Sequence, residues 1–193
     1  MLSDRYGLLL STLSAPARDA YVAACDALFA ADPLAQSRFR LAIEQDPAFA
    51  LAIAGLARAE FILARVPQAR ELAAAARIAA ERATLRERSH VNALCLSIEG
   101  KGVEALAATR EHLVEWPRDA MVLAPATSVF GLIGFSGRQG REPEQLALLE
   151  PLEPLLGGDW WFDAVHAFAL EECGQLERAH ALIERSLSIN PRN

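Results

Sequence analysis

Along most of the chain, apolar positions return every three or four residues, the spacing of a helix with one buried face. Ala, Leu, Glu and Arg, all good helix formers, fill these stretches, and no sustained apolar/polar alternation signals a strand. The pattern breaks at Ala31-Asp32-Pro33, Asp46-Pro47, Val66-Pro67, Pro117, the stretch from Ser136 to Arg141, and Gly157-Gly158. The sequence therefore predicts short helices in succession and an all-α fold.

The breaks are periodic. Gly174-Gln175-Leu176-Glu177-Arg178-Ala179, then Ser186-Leu187, then Asn190-Pro191 sets a spacing that recurs at Ala35, Phe39, Ala42-Ile43 and Asp46-Pro47. It recurs again at Gly100, Ala105, Leu113 and Pro117. The closing prolines stand 70 and 74 residues apart, two periods of about 35 each time. Small residues (Ala35, Ala42, Ala105, Ala179, Ser186) let neighbouring helices approach, and Phe39, Ile183 and Leu187 fill the gaps. Glycine permits the turn before a second helix, and proline ends the unit because it cannot continue a helix.

These features resemble the tetratricopeptide repeat, a helix-turn-helix unit of about 34 residues. They predict one domain over residues 1–193, an α-solenoid of about five such repeats. The helix pairs fall near 16–46, 48–83, 85–116, 118–156 and 158–190. The segments Arg86-Glu87-Arg88-Ser89-His90-Val91, Trp116-Pro117-Arg118-Asp119-Ala120 and Ser186-Leu187-Ser188-Ile189-Asn190-Pro191 narrow the likeness. With the stretch from Gly131 to Arg138 and Gly158-Asp159-Trp160-Trp161, they resemble the tetratricopeptide repeat protein 38 family and its bacterial relatives. The likeness spans nearly all of this chain and the N-terminal part of a family member, which continues into further helices with a histidine-rich stretch. It implies a repeat scaffold and adds little about chemistry.

Composition narrows the function classes. The 193 residues carry 19 basic and 25 acidic side chains, a net charge of −6, with Lys101 the sole lysine. A nucleic-acid module needs a basic footprint to neutralise phosphates, so none is expected. With 52% hydrophobic residues the chain has enough apolar surface to fold. Gly7-Leu8-Leu9-Leu10 is too short for a signal-peptide core, and nothing reaches the roughly 18 apolar residues of a membrane span. Cys25, Cys95 and Cys173 are odd in number and never paired as CxxC, which suits reduced thiols and a cytoplasmic location.

Candidate chemistry is sparse. His90, His112, His166 and His180 show no metal-ligand spacing, and no cofactor is expected. Cys25 and Cys95 sit among Ala and Leu like core hydrophobes, and no nucleotide or Ser/His/Asp signature stands out. The loop Ser136-Gly137-Arg138-Gln139-Gly140-Arg141-Glu142 offers a possible anion site on Arg138 and Arg141, set against pairing with the nine acids between Glu142 and Glu177.

First helices of such repeats line the concave face. That register sets Glu87, His90, Leu94, Asp119, Trp161, Phe168 and Glu171 along a mixed apolar and acidic groove. The reading is a non-catalytic scaffold that takes a peptide or partner segment there, with no membrane partner. The alternative is an enzyme or small-molecule-binding protein with a site near His90, Asp119 and the loop from Gly137 to Arg141. A closed apolar pocket would favour the enzyme and an open groove the scaffold. Leu182, Ile183 and Leu187 form an edge that predicts a homodimer through the last helix, since only Arg192 and Asn193 follow Pro191.

Overall fold

Helix pairs are closed by one recurring backbone device in the computed structural model, which describes residues 2–191. After α1 (Ala15–Phe29), Ala31 adopts φ 50°; after α3 (Ala50–Ile62), Ala64 adopts φ 58°; after α5 (Leu85–Ile98), Gly100 adopts φ 81°. The next amide reaches back five residues each time: Asp32 to the Ala27 carbonyl, Arg65 to Glu60 and Lys101 to Leu96, at 2.8–3.0 Å. This left-handed cap satisfies the terminal carbonyls and reverses the chain. Three helix pairs follow from it: α1 with α2 (Ala35–Gln45), α3 with α4 (Val66–Ala80), and α5 with α6 (Gly102–Glu115).

The two helices of a pair bury different amounts of themselves. Each second helix hides one stripe: Ala35, Phe39 and Ala42 in α2; Ala69, Ala73, Ala76 and Ala80 in α4. The stripe is mostly alanine because the helices approach closely. Helix α3 packs against α1, α2, α4 and α5, and every residue from Ala50 to Ala57 is buried. The fold class is all-α, built from stacked helix pairs.

The N-terminal segment was not legible as structure. Leu2–Ser3 (β1) pairs antiparallel with Leu9–Leu10 (β2), Leu2 opposite Leu10. Two-residue strands are too short to leave an alternating pattern. Asp4 makes the turn, its Oδ1 accepting the amides of Tyr6 and Leu8, each at 2.9 Å.

The chain falls into two compact units, Met1–Val122 and Leu123–Asn193. Their boundary lies inside the expected fourth helix pair, which departs from the regular pattern. Its first helix shrinks to α7 (Ala120–Leu123), followed by 3₁₀ turns at Ala124–Ala126 and Gly134–Ser136. Pro125, Gly131, Gly134, Gly137 and Gly140 crowd this stretch and leave no uninterrupted helix to propagate. Its second half breaks at Pro151 and Pro154 into α8 (Arg141–Leu149), a 3₁₀ turn and α9 (Glu153–Leu156). Regular pairing returns with α10 (Trp160–Glu172) and α11 (Leu176–Ile189) around Gly174 at φ 75°.

The last pair fixes where the expected dimer edge sits. Leu182 is buried within the second unit, Ile183 is half-buried and Leu187 is exposed, so Leu182 supplies no free surface. Ser186 is buried as well, its hydroxyl donating to the Trp160 carbonyl at 2.6 Å. Arg192 and Asn193 lie outside the described residues. Among the described residues no helix is long and apolar enough to cross a membrane.

Candidate functional site

The three turns of the first unit define equivalent positions on its first helices. Thirteen residues before Ala31, Ala64 and Gly100 stand Arg18, Leu51 and Glu87; ten before stand Tyr21, Ala54 and His90; six before stand Cys25, Arg58 and Leu94. These nine residues share one face by register, the face on which a groove is expected. The chain's own N-terminal segment lies on it.

That segment is held by backbone as well as side-chain contacts. Arg86 donates to the Leu9 carbonyl at 2.9 Å, and Glu87 accepts the Ser11 amide at 2.8 Å. The Thr12 hydroxyl donates to Asp46 at 2.6 Å, and Arg5 pairs with Asp26 at 3.0 Å. Leu10 is fully buried in the core cluster that holds Leu51, Ala54 and Leu94. Extended backbone, bonded through its amide and carbonyl groups and anchored by one apolar side chain, is how peptides are received by folded proteins.

Beneath the segment lies a buried polar cluster centred on Asp119. One oxygen of Asp119, Oδ2, accepts from Arg86 at 2.7 Å, His90 Nδ1 at 2.9 Å and His112 Nε2 at 3.1 Å. Burial pushes the Asp119 carboxyl up, but His90, His112 and Arg86 outweigh it and hold the group well below 3.8. Burial chiefly lowers His112, and Asp119 opposes it only in part, so the ring is neutral. With a proton on Nε2 toward Asp119, His112 Nδ1 accepts from the Ser89 hydroxyl at 2.9 Å. Trp116 packs against the same ring at a tilt of 45°, 4.9 Å between centroids.

Ser89, His112 and Asp119 thus form a hydroxyl–imidazole–carboxylate chain that no sequence motif announced, since its members stand 23 and 7 residues apart. The order of groups is that of a hydrolase triad, with Ser89 held inside α5, its hydroxyl bonded to a buried imidazole. The chain reads as a lock between α5 and the α6–α7 connection.

The accompanying cavity is small. Asp4, Arg5, Tyr6, Tyr21, Cys25 and Asp119 line a space of ≈ 10 Å³. That is room for about one water and none for a substrate. Burial pushes the Cys25 thiol well up and Cys95 to about 11, so both stay protonated and neither is a thiolate nucleophile.

The predicted site residues divide between the units. Glu87, His90, Leu94 and Asp119 belong to the first and are buried, because the N-terminal segment and the polar cluster consume the face they were expected to expose. In the second unit Trp161 is buried, Phe168 half-buried and Glu171 exposed. Phe168 and Arg141 come together in lining a second cavity of ≈ 40 Å³ with Val129, Glu142 and Gln145. Arg138 grips Glu144 through both carboxylate oxygens at 2.8–2.9 Å, and Arg141 pairs with Glu142 at 3.0 Å. The guanidiniums of the possible anion site are thus neutralised by neighbouring acids. Among the described residues no cluster of His, Cys, Asp or Glu could hold a metal ion.

Comparison with solved structures finds a tetratricopeptide-repeat protein, YrrB, described as having an unusual peptide-binding site. It is 15% identical and covers 91% of this chain and 87% of its own, with a TM-score of 0.44. No family profile and no curated protein matches the sequence.

Proposed function

We propose that this protein is an interaction scaffold whose first-helix face receives an extended polypeptide segment. The observation that carries the reading is residues 8–12, seated on that face by Arg86, Glu87 and Asp46 with Leu10 as anchor. The surface already recognises an extended chain, and a partner would use the same backbone donors and acceptors. The cavity of ≈ 10 Å³ counts against a small-molecule site near His90 and Asp119. Kinship with the tetratricopeptide repeat protein 38 family, a cytoplasmic location and pairing of two copies through Leu187 of the expected edge, now joined by the neighbouring Ile189, belong to the same proposal. Both side chains are exposed on α11.

The test is peptide binding in trans. A Leu10→Asp chain is expected to release its N-terminal segment and to take up a labelled synthetic peptide of residues 2–13. A peptide carrying the same substitution should not bind. A folded Leu10→Asp chain that ignores the native peptide overturns the reading. Should that variant unfold, hydrogen exchange on the native chain decides instead. A Ser11 amide that exchanges as fast as an unfolded one would show that the segment is not held.

A further inference from the structure

Most arginines among the described residues have a partner. Arg5, Arg18, Arg40, Arg65, Arg77, Arg86, Arg138, Arg141, Arg178 and Arg185 each pair with a carboxylate, and Arg38 donates to the Ala23 carbonyl. Arg70, Arg82, Arg88, Arg110 and Arg118 are exposed to water. Arg58 is different. It is half-buried on α3, its Nε is shut off from solvent without a hydrogen-bond partner, and no ion pair holds it among the described residues. Burial alone pushes its guanidinium down to about 10, with no nearby charge acting on it. A cation left this way is costly unless something neutralises it.

Its place on the fold says what that something is. Arg58 stands six residues before its turn, the position held by Cys25 in the preceding pair and Leu94 in the following one. Cys25 lines the cavity beside Asp4, Arg5 and Tyr6, and Leu94 shares the core cluster with Leu10. Arg58 therefore belongs to the face that receives extended chain, at the middle repeat. The acids expected to give that face a negative character are spent internally: Glu87 on Ser11 and Thr84, Asp119 on Arg86 and the histidines. The charge left open on the first unit's face is the Arg58 guanidinium.

We infer that Arg58 is a recognition residue for an acidic side chain, Asp or Glu, carried by an extended partner segment on the first-helix face. This rests on the scaffold reading and names the chemistry of its partner. The terminal N–H groups of a planar guanidinium match a carboxylate through two parallel hydrogen bonds, and partial burial of Arg58 strengthens such a pair relative to one in water.

The experiment uses the full chain labelled with ¹⁵N, its Arg58 Nε–H signal assigned by its loss in Arg58→Lys. It is titrated with the acetylated, amidated peptide Leu-Glu-Leu, with the matching Leu-Gln-Leu, and with inorganic phosphate. The glutamate peptide should shift the Arg58 signal and bind about fivefold more tightly than its glutamine twin. Arg58→Gln should erase that preference while the chain keeps its melting temperature. Equal binding of both peptides in the native chain, or a silent Arg58 signal, overturns the inference. A shift produced as readily by phosphate as by peptide also overturns it, in favour of a free-anion site. If first-helix amides respond to both peptides while Arg58 does not, the scaffold reading stands and the role of Arg58 falls. A failure of the residue 2–13 peptide, in contrast, strikes the scaffold reading itself.

Discussion

Glu87 accepts the backbone amide of Ser11 across 76 residues of sequence, at 2.8 Å, through one carboxylate oxygen. Its other oxygen closes the capping box of α5 on the Thr84 amide at 3.3 Å. One buried carboxylate thus starts a helix and fastens the N-terminal segment to it. Replacing Glu87 with Ala removes a cap and a charge-assisted hydrogen bond together. The expected loss is about 1–3 kcal/mol in chemical denaturation, with faster exchange at the Ser11 amide. Unchanged exchange there would separate the segment from the cap.

Asp119 accepts from three side chains on one oxygen. Asp119→Ala leaves the Arg86 cation buried and uncompensated, the costly way to break such a pair. A destabilisation of about 3–5 kcal/mol is expected, measured by urea titration of the whole chain. A loss under about 1 kcal/mol would mean that water replaces the carboxylate in the variant.

Ala31 and Ala64 occupy the left-handed region where Gly100 and Gly174 serve the equivalent turns. An L side chain there carries strain that glycine lacks. Ala64→Gly should raise stability by about 1 kcal/mol, visible as a higher melting temperature, even though it deletes a methyl group. A destabilised variant would show that the alanine side chain contributes contacts outweighing the strain.

Acid should weaken the fold in two steps. His166 is buried, both ring nitrogens lack partners among the described residues, and Phe162 lies 5.5 Å away between centroids. Burial holds its pKa below the ordinary 6.5; Glu153, Glu150 and Asp163 push upward and Arg178 downward. His112 is lowered in the same direction. Below pH 6.5 the unfolded chain takes up protons that the folded chain refuses, so stability falls as pH falls. Asp119 adds a second loss below about 3.8, where the unfolded carboxyl protonates and the folded one stays charged. His166→Leu should flatten the first step and raise stability near neutral pH by about 1 kcal/mol, since it removes unsatisfied polar atoms. Melting temperatures from pH 7.5 to pH 5 that run parallel in native and variant chains would contradict this.

Self-association through α11 has a direct readout. Leu187→Glu and Ile189→Glu should leave the fold intact and reduce any dimer seen by sedimentation at micromolar concentrations. A native chain that sediments as a monomer there removes the pairing from the proposal.

The sequence by itself determined the helices and their pairing. Ala35, Phe39, Ala42, Ala105 and Ala179 report packing in one linear register, so they appear as a period and are buried as that period requires. The closing prolines and turn residues are equally local, because a left-handed cap is set within six residues. The irregular region from Ala124 to Leu156 was less legible, since its prolines and glycines say where helices stop but not what replaces them. Only the tertiary structure decided the character of the inner face. A face that register leaves open is filled when residues 2–12 fold back over it, and that depends on contacts between segments 34 to 77 residues apart. The same contacts turned Glu87, His90 and Asp119 from groove residues into a buried lock and left Arg58 without a counter-charge. Helical period is written in neighbouring residues, whereas the pairing of charges depends on which distant segments meet.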